Sequence, residues 1–93
     1  MSTVIIFHEV EDGERWAKAW KKGTPGNRHD LFADVGTART FRDPENPNLT
    51  GVIVEVSDMN KLKALMTSDD VQKLAAEDGL KLDTMRMLVE FTP

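Results

Sequence analysis

Two histidines, His8 and His29, are the residues of this 93-residue chain whose side chains ordinarily titrate near neutral pH. His8 follows the apolar run Val4-Ile5-Ile6-Phe7. A histidine on such a stretch can serve as a general base toward an acidic C–H or O–H. It can equally be a half-buried structural histidine bonded to Glu55, and the two roles are compatible. Glu55 stands alone among valines and an isoleucine. A buried carboxylate needs a partner, and His8, Arg39 and Arg86 are the candidates. On the catalytic reading His8 is the base, Glu55 orients it, and Arg86 or Arg39 stabilises an enolate or carboxylate. Trp16 and Trp20, four residues apart, either wall an aromatic substrate or fill the core between helix and sheet. Arg39 and Phe41 are further substrate-binding candidates. His29 follows a Pro-Gly loop and gains importance if that loop lids a pocket.

Other chemistries find little support. There is no cysteine, so disulfides, thiolate metal sites and cysteine nucleophiles are excluded. Tyrosine is also absent. Two separated histidines make no metal-ligand set, and no glycine-rich phosphate loop is present. The net charge of −4 and the scattered lysines and arginines argue against nucleic acid as a partner. No segment has the length of a membrane span, and the first apolar run is too short for a signal peptide. The expectation is a cytoplasmic protein.

The elements that must position these residues can be read from pattern and punctuation. Residues 3–10, 37–42, 49–56 and 83–92 read as strands, being rich in β-branched and aromatic types or alternating in polarity. Asp12 caps a helix with Trp16, Ala19 and Trp20 on one stripe. Residues 28–34 form a short second helical piece that Gly36 closes. Asp58 or Ser57 caps a helix carrying Met59, Leu62, Leu65 and Met66, and Ser68 begins a further stretch. Gly79 suits the position just past a helix end. The order β-α-β-β-α-β predicts one α+β domain over residues 1–93. Its four-stranded antiparallel sheet is ferredoxin-like, with strand order 4-1-3-2.

Val52, Val54 and Val56 are expected beneath the helices, with Met85, Met87, Val89 and Phe91 beside them. The other face would then carry Val4, Ile6, Ile53 and Leu88 with His8, Glu55, Arg86 and Glu90. So apolar an open face marks an interface or a ligand site. Two sheets meeting across a two-fold axis would satisfy it, which makes a homodimer the expected assembly.

Four stretches carry a resemblance to a known group: Phe7-His8-Glu9-Val10, Glu14-Arg15-Trp16, Gly36-Thr37-Ala38-Arg39-Thr40-Phe41-Arg42-Asp43-Pro44, and Val54-Glu55-Val56-Ser57-Asp58. Through them the chain resembles the dimeric α/β-barrel superfamily, in particular small antibiotic-biosynthesis-monooxygenase and cyclase-like proteins. The resemblance covers essentially the whole chain and bears on fold more than on function. It implies a cofactor-independent monooxygenase, cyclase or isomerase acting on a small aromatic or polyketide-like molecule, with no metal. It also implies a site between sheet and helices, whereas the face argument places a cavity between paired sheets. The alternative is a noncatalytic homodimer that binds a ligand or is purely structural.

Overall fold

The computed structural model describes residues 2–93. Strand β1 (Ser2–Glu9) leads to helix α1 (Gly13–Ala19), the short helix α2 (Arg28–Phe32) and strand β2 (Gly36–Arg42). Strand β3 (Leu49–Val56), helices α3 (Met59–Thr67) and α4 (Asp69–Glu77), and strand β4 (Arg86–Val89) complete the chain. The sheet is antiparallel throughout and runs β2-β3-β1-β4, so the two most apolar strands lie at its centre. This is the ferredoxin-like arrangement expected from element order.

The helix starts follow capping chemistry. The Asp12 carboxylate accepts from the backbone N–H of Glu14 and Arg15, and Asp58 does the same for Asn60 and Lys61. Ser68 ends α3 and caps α4 through Val71 N–H. Gly79 follows α4 with φ +78°, the left-handed conformation that glycine adopts without a Cβ penalty. Gly36 does not close a helix: it opens β2, where a Cβ would run into the backbone carbonyl of Glu55.

Register decides the faces. Val4 pairs with Val54 and Ile6 with Val52, so both belong to the valine face. They are buried there with Ala38, Val56, Phe32, Val35 and Leu62. The expected open-face pair Val4 and Ile6 is therefore corrected to Ile5 and Phe7, which are exposed with Leu88 and Phe41. Strand one is apolar at both alternations, so composition could not choose between its faces. Strand pairing chose.

The last strand is shorter than expected. A 3₁₀ turn occupies Leu82–Thr84, and β4 spans four residues. Met85 packs on the core, but Met87, Val89 and Phe91 are exposed. Strand β1 is buried at alternate positions and β3 at most of its positions, whereas β4 is exposed throughout. Among the described residues, no helix is long and apolar enough to cross a membrane.

Candidate active site

A cavity of about 70 Å³ lies between the helix-facing side of the sheet and helices α1, α2 and α4. Ile6 and Val52 form part of its floor, and Trp16, Trp20 and Phe32 form an aromatic wall. His8, Arg28 and Asp78 are its titratable side chains. This space lies within the sheet-helix sandwich, where the resemblance implies a site; a second, more open hollow of about 390 Å³ lies on the opposite sheet face, lined by Ile5, Phe7, Phe41, Gly51 and Ile53.

His8 reaches this cavity because β1 alternates: Val4, Ile6 and His8 share the face under the helices. The residue is 4% exposed. Its Nδ1 lies 2.8 Å from Thr50 Oγ1, and that same hydroxyl lies 3.2 Å from the His8 carbonyl. Both contacts are satisfied together only when the Thr50 hydroxyl donates to the carbonyl and Nδ1–H donates to Oγ1. That tautomer leaves the lone pair on Nε2. Burial pushes the imidazole pKa below its ordinary 6.5, against an opposing effect of the nearby backbone carbonyl. The ring is therefore a neutral proton acceptor at pH 7.

The aromatic side chains interlock. The Trp16 ring stands edge-on to His8 at 6.1 Å between centroids and is tilted against Trp20 at the same spacing. Trp20 stacks on Phe32 at 5.6 Å and meets His29 edge-on at 5.1 Å. His29 is accordingly part of α2, packed outside the cavity against Trp20, and not on a free loop. The indole Nε1 of Trp16 is buried and has no hydrogen-bond partner among the described residues.

Arg28 and Asp78 were not foreseen as site residues. The Arg28 Nε and Nη2 donate to the two Asp78 carboxylate oxygens at 2.8 and 2.7 Å, a bidentate pair joining α2 to the end of α4. The Asp78 hydrogen bonds raise the Arg28 pKa. Fifty residues separate the two, and neither sits in a recognisable motif. Thr50 was also missed, although it is the register partner of His8.

The remaining candidates point elsewhere. Glu55 is on the opposite face from His8 and accepts from Thr3 Oγ1 at 2.9 Å, so the expected His8–Glu55 contact does not form. Strand positions 55 and 50 are an odd number apart, which places them on opposite sides. Arg86 is exposed on the open face and donates to the carbonyls of Asp83 and Met85. Arg39 and Phe41 share that face, with the guanidinium carbon 5.7 Å from the ring centroid. Among the described residues, no group of three or more histidines and carboxylates is arranged to hold a metal.

The chain matches no protein-family model and no curated protein. Its fold does match solved structures. One is an antibiotic biosynthesis monooxygenase, at 13% identity and a TM-score of 0.65, covering 100% of this chain and 99% of that one. Another is a variant of SnoaB from Streptomyces nogalater, described as a cofactor-independent oxygenase, at 10% identity and a TM-score of 0.66 over 98% and 91% of the two chains. A third is PA3566 from Pseudomonas aeruginosa, at 12% identity and a TM-score of 0.66 over 99% and 93%. At such identities the likeness establishes the ferredoxin-like fold over the full length.

Proposed function

We propose that this chain is a cofactor-independent monooxygenase for a small aromatic substrate with an acidic C–H, working in the cavity beneath the helices. The observation that carries the reading is a buried, neutral imidazole facing an aromatic-walled cavity. Arg28 and Asp78 are tied to each other, so His8 is the cavity group left to accept a proton. The likeness to solved structures named as monooxygenases and as a cofactor-independent oxygenase supports the same reading.

The chemistry balances without a cofactor. His8 Nε2 takes a proton from an activated CH₂, and the carbanion passes an electron to dioxygen. Recombination forms a carbon–oxygen bond to give a hydroperoxide. Loss of water then leaves a carbonyl, so that R₂CH₂ and O₂ become R₂CO and H₂O. The cavity is smaller than the roughly 150 Å³ of an apolar cavity that holds benzene. Binding a fused-ring substrate thus requires α2 and its neighbours to move outward.

The working unit in this reading is a homodimer. Ile5, Phe7 and Leu88 expose an apolar surface on the sheet face away from the helices, which a second sheet would cover.

The test is oxygen uptake with 1,8-dihydroxyanthrone, with the quinone product followed by absorbance. One O₂ should be consumed per quinone formed, and His8→Gln should slow turnover at least 100-fold while remaining folded. A His8→Gln protein as active as the parent would refute the role of His8. A folded parent with no uptake above the spontaneous rate would favour the noncatalytic reading.

A further inference from the structure

Two thioethers border the cavity beneath the helices. Met66, near the C-terminal end of α3, and Met85, just before β4, both line it with His8. Each is partly buried against the core. Met59 is partly buried against the same core but does not border the cavity, and Met87 is 39% exposed on β4. The described methionines therefore separate access from the cavity from access from bulk solvent. A methionine side chain is unbranched, with its sulfur one bond from the tip, so a change of rotamer brings a bordering sulfur to an occupant.

We propose that Met66 and Met85 are modification sites, oxidised to sulfoxides by an organic hydroperoxide held in the cavity, and that this oxidation limits how many turnovers the protein completes. The turnover limit rests on the monooxygenase reading, whose hydroperoxide is the oxidant; the sites themselves need only the cavity. The sulfur lone pair attacks the outer peroxide oxygen, so an S–O bond forms as the O–O bond breaks. The peroxide proton moves to the departing alkoxide. R₂CHOOH and the thioether become R₂CHOH and the sulfoxide: sulfur loses two electrons and the peroxide gains them. This transfer competes with the loss of water that leaves the carbonyl. The apolar walls favour an organic hydroperoxide over hydrogen peroxide as the occupant. A sulfoxide is polar where the thioether was apolar, so it disturbs the packing around the cavity.

The experiment treats the folded protein with tert-butyl hydroperoxide or with hydrogen peroxide and follows each methionine by peptide mass spectrometry. The organic hydroperoxide should oxidise Met66 and Met85 about fivefold faster than Met59 and Met87. Hydrogen peroxide should oxidise Met87 first, because its attack follows exposure to solvent. In denaturant the four should react alike. During turnover of 1,8-dihydroxyanthrone, sulfoxide should accumulate at Met66 and Met85 as activity decays. Met66→Leu combined with Met85→Leu should slow the loss of activity per turnover by about threefold. Should that variant not fold, sulfoxide mapping in the parent decides alone.

Oxidation by tert-butyl hydroperoxide that follows exposure, with Met87 first, overturns the cavity sites and leaves the monooxygenase reading standing. Oxygen uptake whose decay leaves Met66 and Met85 unoxidised overturns the turnover limit on the same terms. A protein that consumes no oxygen loses the monooxygenase reading and the turnover limit with it. The order of oxidation by tert-butyl hydroperoxide then upholds or overturns the two sites by itself.

Discussion

His8 owes its chemistry to two neighbours, the Thr50 hydroxyl and the apolar surroundings. Thr50→Val keeps the volume but removes the group that holds Nδ1. It should lower stability by about 1–3 kcal/mol, since a buried ring nitrogen loses its partner. In oxygen uptake it should reduce kcat more than it raises KM, because the imidazole is misaligned while the aromatic wall is intact. Equal stability and unchanged kcat would show that Thr50 does not orient the ring. The depressed pKa also makes a stability statement. The unfolded chain binds a proton at His8 as pH falls through 6.5, before the folded chain does. Stability should therefore fall as pH drops from about 7.5 toward the lower folded pKa, and this contribution should level off beneath it. Thermal melts of His8→Gln should show a shallower acid-side decline than the parent, and a parallel decline would place the titration elsewhere.

At the scale of elements, α2 is the weakly anchored part of the site. It has five residues, too few to be stable alone. Phe32 holds it to the core, and Arg28 holds it to the end of α4. The Arg28 and Asp78 side chains are 16% and 9% exposed, so the pair is largely removed from water. Asp78→Asn should cost about 3 kcal/mol by leaving the guanidinium without its counter-charge. Arg28→Met combined with Asp78→Leu should recover much of that loss. Denaturant unfolding checks both, and a loss below about 1 kcal/mol for Asp78→Asn would mean that water already screens the pair.

At the scale of the molecule, the sheet is covered on one side and apolar on the other. Leu88 is 54% exposed and Ile5 40%, on adjacent paired positions of β4 and β1. Leu88→Asp should shift a dimer toward monomer in sedimentation velocity without lowering the helical signal. A parent that sediments as a monomer at micromolar concentration would overturn the homodimer. Arg39, Glu55 and Arg86 belong to this face, so their charges act at that surface and not at the His8 cavity.

Much of the architecture was legible without coordinates. Aspartate and serine caps and valine alternation act over a few residues, and they placed most elements correctly; the strand order followed from the element order β-α-β-β-α-β through its ferredoxin-like topology. Trp16, Trp20 and His8 were legible as site candidates because they are unusual on apolar stripes. Partnership was not. Val4 and Ile5 are equally apolar, so only the pairing of β1 with β3 determined which faces the helices. That pairing also separated His8 from Glu55, gave His8 to Thr50, and turned the imidazole toward the cavity beneath the helices. Arg28 and Asp78 met through packing of α2 against α4, across a sequence distance over which local propensity has no influence. Chain-local chemistry thus determined what the elements are. Long-range register and helix packing decided which side chains share a site, because faces and contacts arise only when separate segments are held together.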